Sequence, residues 1–138
     1  MYEHQVMPFH QRLCEALSNG GPGSVHLCGD ATRHFRTIHD VLNVRSFDTG
    51  FPIDFEGVRR GLGPDVEILG GPTVMFLAEA SPTGVAEEVR RILSIGIAKG
   101  GRFILREANN LPPGIPLENL DAMYDAVRCF GTIAPDGA

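Results

Sequence analysis

Short apolar runs alternate along the chain with segments whose apolar residues recur at helical spacing. Each short run is bounded by glycine, proline or other turn-forming residues, as is typical of buried strands. The intervening segments repeat apolar residues every three or four positions, as amphipathic helices do. The pattern predicts four strands, at about 24–28, 45–49, 66–69 and 103–105, and five helices, at about 2–17, 31–43, 54–61, 81–99 and 117–129.

The helical segments carry their own start signals and apolar faces. Pro8 is expected to bend or break the first turns of the first helix. Ser81 and Pro82 favour a helix start, because serine can cap free amides and proline suits the first helical position. Apolar spacing is set by Val6, Phe9, Leu13 and Leu17 in the first helix, Phe35, Ile38 and Leu42 in the second, Phe55 and Val58 in the third, Val85, Val89, Ile92, Leu93 and Ile97 in the fourth, and Leu120, Met123, Tyr124 and Val127 in the fifth.

The positions of two histidines and two cysteines on these helices predict their exposure. His34 and His39 fall outside the apolar stripe of their helix, so we expect both to face solvent. Cys14 and Cys129 fall on helix stripes, so we expect both in the core.

The order of elements predicts an α/β fold with about four parallel strands alternating with helices. Strands separated by helices are not hairpins, so they should be parallel neighbours joined by crossovers. Parallel sheets bury both faces, and the continuous apolar runs favour that arrangement here. We expect one domain over residues 1–131 and a tail over 132–138.

In such units ligands bind at the carboxyl edge of the strands. The residues directly after each predicted strand are polar or glycine-rich, whereas the opposite edge has nothing comparable. These positions are 28–30, 48–49, 70–71 and 106–110.

His26 and Cys28 are the candidate metal ligands. Side chains on a strand alternate faces with a period of two, so these two point the same way. Imidazole and thiolate are ligands that zinc prefers, and Gly29 leaves room above them. They form half of a site, because catalytic zinc takes three protein ligands. The alternative is structural: the cysteine is a small apolar filler and the histidine bonds a backbone carbonyl.

Composition narrows the classes of partner and the compartment. The 138 residues have a net charge of -5 without a basic run, which argues against nucleic acid or an anionic membrane as partner. Three widely spaced cysteines and no leader-like start favour a reducing cytoplasm. No apolar run approaches the roughly 20 residues that span a bilayer.

Taken together, the motifs resemble the uroporphyrinogen decarboxylase superfamily, which contains decarboxylases of haem synthesis and cobalamin-dependent methyltransferases. The resemblance covers about residues 7–131, and the run of prolines followed by Glu118 and Asn119 is its most specific part. The matching pieces are His26-Leu27-Cys28-Gly29-Asp30, Gly70-Gly71, Gly101 to Leu105, Leu111 to Met123, and Phe130-Gly131.

Members of this superfamily are complete eight-stranded barrels, so the resemblance implies that this chain is the C-terminal half of a TIM (β/α)8 barrel. A half barrel leaves unpaired strand edges and an open apolar interior. We therefore expect a homo-oligomer, association with a separate N-terminal half, or a fragment.

The His26-x-Cys28 pair resembles the methyltransferase branch of the superfamily. There the corresponding histidine and cysteine bind zinc with a second cysteine, and the metal activates a small thiol that accepts a methyl group from a corrinoid on a partner protein. The resemblance implies the same cofactors, zinc and cobalamin, for this chain. The position of the second cysteine is occupied here by Asn109, an amide and a poor zinc ligand.

Three interpretations of the site remain open. Glu107 or Asp48 completes a zinc site; or the site lacks metal and Asn109, Asn110, Glu107 and Asp30 bind a small substrate; or Asn109 and Asn110 shape the turn. Two other functions compete with methyl transfer. One is decarboxylation of a porphyrinogen acetate, which needs cations to hold the substrate carboxylates; Arg106 is the one arginine directly after a predicted strand. The other is a non-catalytic half-barrel subunit.

Overall fold

A computed structural model describes residues 1–131, and the tail predicted at 132–138 lies outside this range. Over the described residues, no helix is long and apolar enough to cross a membrane. The elements are α1 (Tyr2–Gln5), α2 (Met7–Leu17), β1 (Gly23–Leu27), α3 (Thr32–Leu42), β2 (Val44–Thr49), α4 (Phe55–Leu62), β3 (Glu67–Gly70), α5 (Val74–Glu79), α6 (Pro82–Ser94), β4 (Phe103–Leu105) and α7 (Leu117–Phe130).

The four strands form one sheet in the order β1-β2-β3-β4, and every neighbouring pair is parallel. The predicted α/β class with parallel strands alternating with helices is therefore confirmed. The register places His26 of β1 opposite Asp48 of β2, and Leu69 of β3 opposite Ile104 of β4. All four carboxyl ends consequently meet at one edge, as in one half of a TIM (β/α)8 barrel.

The two faces of the sheet differ, so the expectation that both are buried is wrong for the described chain. Phe47 and Ile68 are fully buried beneath the helices, whereas Ile104 is 46% exposed. The described helices pack on one face only, and exposure alternates along β1. The open face is also more polar than expected: the Ser46 hydroxyl donates to Glu67 Oε1 at 2.8 Å.

The predicted first helix is split in two. Pro8 lies in the first turn of α2, and the helix is interrupted just before it, at Val6, so the expected break in the first turns is confirmed. The apolar stripe of α2 does not pack inward: Phe9, Leu13 and Leu17 are all more than half exposed. This stripe, with the open sheet face, gives the chain an unusual amount of exposed apolar side chain.

Several side-chain placements differ from expectation. His34 and His39 are partly buried: the ring centroids of Tyr2 and His34 lie 4.6 Å apart, and the side chain of His39 is 12% exposed. Tyr124 and Cys129 are exposed, because α7 packs through the face that carries Met123 and Ala126. Cys14 packs against the core as predicted.

One helix was not predicted from the sequence. The short helix α5 follows the Gly70-Gly71-Pro72 turn, and its six residues are too few to show a helical repeat. The Thr73 hydroxyl caps it by accepting from the Phe76 amide at 3.1 Å. The next helix, α6, begins as predicted, since the Ser81 hydroxyl accepts from the Gly84 amide at 3.2 Å.

Asn119, in the most specific family motif, holds α7 against α5. It is 1% exposed, and its Nδ2 donates to the Leu77 carbonyl at 2.8 Å and to the Ala80 carbonyl at 2.9 Å. Both acceptors lie at the end of α5, where helix carbonyls lack intrahelical partners. The side chain therefore satisfies two orphaned acceptors at once.

Replacing Asn119 with alanine is expected to lower the free energy of unfolding by about 2–3 kcal/mol, because two buried carbonyls lose their donor. Urea denaturation followed by circular dichroism measures this change. Asn110→Ala makes the same chemical change at an exposed loop position and should have an effect within about 0.5 kcal/mol. Equal effects of the two substitutions would contradict the assigned role of Asn119.

Candidate functional site

A chain of polar contacts crosses the carboxyl edge of the sheet. His26 Nε2 lies 3.0 Å from Cys28 Sγ, and His26 Nδ1 lies 2.9 Å from Asp48 Oδ2. Arg106, directly after β4, donates from Nη1 to the same Asp48 oxygen at 3.3 Å and from Nη2 to Glu107 Oε1 at 2.9 Å. The structure therefore brings together five side chains: Cys28, His26, Asp48, Arg106 and Glu107.

The partners of the His26 ring fix the roles of its two nitrogens. An ionised carboxylate only accepts hydrogen bonds, and Arg106 donates to the same oxygen of Asp48 that faces His26. Nδ1 must then carry the hydrogen when the imidazole is neutral. Nε2 is left with a lone pair directed toward Cys28 Sγ, which is the arrangement of a metal-binding histidine oriented by a carboxylate.

Strand register, more than sequence proximity, creates this arrangement. His26 and Asp48 are 22 residues apart, yet they are directly paired between β1 and β2. The pairing continues past the strand ends, where the Gly50 amide donates to the Leu27 carbonyl at 2.8 Å. A Cβ at Gly50 would lie 2.7 Å from the Gly29 nitrogen and 2.9 Å from Cys28 Cα, so glycine permits the close approach of the two loops.

Gly29 serves a different purpose from the one expected. A Cβ at this position would meet no atom within 4 Å, so the absence of a side chain creates no needed room. Its φ of +69° lies in the left-handed region, which glycine adopts at little cost. Gly29 therefore turns the chain away from Cys28 and leaves the thiol exposed.

The two candidate carboxylates lie at the carboxyl edge but are already engaged. Asp48 is 19% exposed and orients His26 through Oδ2, while its Oδ1 is buried and has no hydrogen-bond partner among the described residues. Glu107 is 17% exposed and paired with Arg106. In this structure Asp48 therefore supports a ligand, and Glu107 is balanced by a cation.

Asn109 contacts its own turn. Its φ is +99°, and its Oδ1 accepts from the Asn110 amide at 2.9 Å. The preceding Ala108 is fully buried and its amide donates to the Pro72 carbonyl at 2.9 Å, which fixes the loop after β4 against the one after β3. Asp30 likewise serves a turn, accepting from the Thr32 amide at 3.3 Å.

The side chains fit two of the three protein ligands of a catalytic zinc. His26 Nε2 and Cys28 Sγ are adjacent, exposed and of the preferred type. Over residues 1–131, however, no group of three or more histidine, cysteine, aspartate or glutamate side chains is arranged to hold a metal. A third ligand requires a rearrangement or another part of the assembly.

Sequence reasoning missed the role of Arg106 as the connection between Asp48 and Glu107. The position was visible, since Arg106 directly follows a strand and precedes an acidic residue. Its partner on β2 was not, because 58 residues separate Arg106 from Asp48. Only the sheet order shows that they face each other.

Gly50→Ala is expected to lower the free energy of unfolding by at least about 2 kcal/mol, because the new Cβ collides with backbone that no rotamer change relieves. Gly61→Ala is the matched control: its Cβ meets nothing within 4 Å, so helix propensity should stabilise the chain by about 0.5–1 kcal/mol. Thermal and urea unfolding of both variants measure the difference. Equal stability of Gly50→Ala and the unsubstituted chain would contradict the close approach of the two loops.

Comparison with known proteins identifies the family of the chain. The family model described as "Uroporphyrinogen decarboxylase (URO-D)" matches residues 1–130. A uroporphyrinogen decarboxylase of Anaeromyxobacter sp. (strain Fw109-5) is 32% identical over 131 residues, covering 93% of this chain and 36% of that protein. One from Anaeromyxobacter dehalogenans (strain 2CP-C) is 27% identical over 130 residues, with coverages of 94% and 36%.

A solved structure agrees on the fold. The structure of a methyltransferase from Methanosarcina mazei superposes with a TM-score of 0.75 at 17% identity, covering 95% of this chain and 37% of that one. The chain thus spans 36% of the length of the curated relatives it matches. The match over 130 residues shows that the chain belongs to the uroporphyrinogen decarboxylase (URO-D) family.

Proposed function

We propose that this chain contributes the His26–Cys28 part of a zinc-dependent methyltransferase site. The acceptor would be a small-molecule thiol, and the methyl donor a corrinoid carried by a partner protein. The observation that carries the proposal is the 3.0 Å contact between His26 Nε2 and Cys28 Sγ at the open carboxyl edge. A thiolate and an imidazole side by side, next to an orienting carboxylate, favour metal binding over a purely structural role.

Each residue of the site has a defined task in this proposal. Bound zinc would lower the pKa of an acceptor thiol, so that the thiolate is present near neutral pH. Asp48 keeps the hydrogen of His26 on Nδ1 and thereby leaves Nε2 free to bind the metal. Arg106 neutralises part of the negative charge of Asp48 and Glu107, which otherwise crowd one edge.

We propose Glu107 as the third ligand. Asp48 already orients His26, and Asn109 bonds its own turn, so Glu107 is the remaining candidate at this edge. Its bond to Arg106 must exchange for a bond to the metal. Arg106 is 31% exposed, so its guanidinium can turn toward water when Glu107 leaves.

The open face of the sheet also implies a binding partner. The exposed stripe of α2 and the uncovered Ile104 are apolar surface that a complete barrel would bury. The outer edges of β1 and β4 have no strand partner among the described residues. We propose that the chain associates with a second copy of itself or with a separate N-terminal half.

Light scattering on the purified chain tests this association. The expected particle mass is at least twice the 14.9 kDa of one chain, or a second subunit co-purifies. A well-folded, monodisperse monomer at low concentration would contradict it.

A second candidate function is decarboxylation of a porphyrinogen acetate side chain, because two relatives are named uroporphyrinogen decarboxylases. That reaction requires cations that hold several substrate carboxylates. Arg106 directly follows a strand end, but it is paired with Asp48 and Glu107. The charge at this edge therefore favours a metal cation over a polyanionic substrate.

Zinc content separates the candidates. Elemental analysis of chain purified without chelator should give about one zinc per chain, falling to near zero in His26→Ala and Cys28→Ala. Cys129→Ala removes an exposed thiol on α7 and should leave the zinc content unchanged. Glu107→Gln should weaken zinc binding by about tenfold or more, in line with the loss of a ligand.

The outcomes distinguish the proposals. Zinc-free chain that converts a porphyrinogen would establish decarboxylation instead. Full zinc content in Glu107→Gln would exclude Glu107 as the third ligand and return Asp48 as the candidate at this edge. Zinc retained in Cys28→Ala and His26→Ala would exclude the proposed site.

A further inference from the structure

A cavity lies at the end of the sheet opposite the His26–Cys28 edge. Its volume is about 470 Å³, and its walls come from the end of α4 and from the segment that follows α6. Arg59, Arg60 and Lys99 contribute cations to it, and Glu56 contributes the one acidic side chain of its lining. The chain as a whole has a net charge of -5, so this cavity has the opposite sign of charge from the chain overall.

Arg59 is the buried centre of this cavity wall. Only 6% of it is exposed, and its guanidinium donates to carbonyls that include Ile97 at 2.9 Å, Val66 at 2.7 Å and Arg102 at 2.8 Å. Val66 and Arg102 directly precede β3 and β4, which places the cavity at the amino edge of the sheet. The expectation that this edge has nothing comparable to the carboxyl edge is therefore wrong.

The positive charge of Arg59 has no counterion within the described residues, since all its partners are backbone carbonyls. Burial without a counterion lowers the pKa of the Arg59 guanidinium below its ordinary value. Within the described residues, only the dipoles of backbone carbonyls therefore stabilise this charge. A bound anion would supply the missing compensation.

One donor of Arg59 remains available. A guanidinium has five N–H groups, two of them on Nη2. Nη2 donates to the Arg102 carbonyl alone among the described residues, whereas Nη1 contacts three carbonyls. The second Nη2 hydrogen has no acceptor among the described residues, and Arg59 lines the cavity.

The two flanking cations are exposed at the mouth of the cavity. Lys99 is exposed and forms no ion pair within residues 1–131. Arg60 is 72% exposed and has Glu56 as a distant partner at 3.5 Å. Ile95 and Pro64 add an apolar wall beside these charges.

We propose that this amino-edge cavity binds a small dianion, the shared chemistry of phosphate esters and dicarboxylates. Arg59 supplies a fixed donor at the base, and Lys99 and Arg60 supply two adjustable charges at the mouth. The apolar wall accommodates the organic part of the ligand. The site is separate from the His26–Cys28 edge and does not depend on the proposed methyl transfer.

Nuclear magnetic resonance titration of the ¹⁵N-labelled chain tests the site. The probes are inorganic phosphate and succinate in physiological salt, with sodium chloride at matched ionic strength as the ionic control. We expect saturable shifts of the Gly63, Gly96 and Lys99 amides, with a Kd of about 1 mM or lower for at least one probe. Comparing the two probes identifies which source of the dianion the site prefers.

Two variants decide whether the cations are responsible. Arg60→Gln combined with Lys99→Gln should weaken binding by about tenfold or more, since two charge-assisted contacts are lost. Arg90→Gln and Arg91→Gln together remove the same charge from the exposed surface of α6 and should leave the affinity unchanged. Both variants keep Arg59, so the fold is retained and is verified from the amide spectrum.

Absence of saturable shifts with both probes in the unsubstituted chain would overturn the proposal. So would equal weakening by the two double variants, because binding would then follow net charge. Shifts confined to the His26–Cys28 edge would overturn it as well.

Discussion

The parallel pairing of β1 with β2 is the constraint on which the candidate site depends. It sets His26 directly opposite Asp48, so that a carboxylate from one strand orients the imidazole of the next. The same pairing brings the Gly50 loop against the backbone of Cys28. A slip of one residue would turn His26 to the helix-covered face, where Phe47 and Ile68 leave no space for it.

Some of this arrangement follows from sequence periodicity alone. The period of two along a strand places His26 and Cys28 on one face, and the alternation of strands with helices predicts a parallel sheet whose carboxyl ends meet. The role of Asp48 did not follow, because it depends on register between strands. The role of Arg106 depends in addition on the rotamer of a long side chain that crosses from the end of β4 to β2.

Other features could not be predicted from the sequence, for different physical reasons. The short helix α5 has too few residues for a repeat to show. The open face of the sheet was unexpected because short apolar strands resemble strands buried on both sides. Asn119, by contrast, was prominent in the sequence as part of the most specific family motif. Its contacts are structural, because it donates to two helix-end carbonyls rather than to the side chains of the candidate site. A family motif therefore marks the fold here more than the chemistry.

The two edges of the sheet differ in charge and in the ligands that they favour. At the carboxyl edge, Asp48 and Glu107 outnumber Arg106, and His26 and Cys28 are exposed side by side. At the amino edge, Arg59 holds the starts of β3 and β4 together and faces a cationic cavity. Membership of the URO-D family explains the sheet, and the local side chains are the basis of the two binding proposals.

The protonation of the His26 ring tests the account most directly, since every step at the carboxyl edge depends on it. Long-range ¹H–¹⁵N correlation spectra of the neutral ring report which nitrogen carries the hydrogen. We predict hydrogen on Nδ1, shared with Asp48, and a bare Nε2, with the preference lost in Asp48→Ala, which removes the acceptor. Hydrogen on Nε2, unaffected by Asp48→Ala, would contradict this assignment.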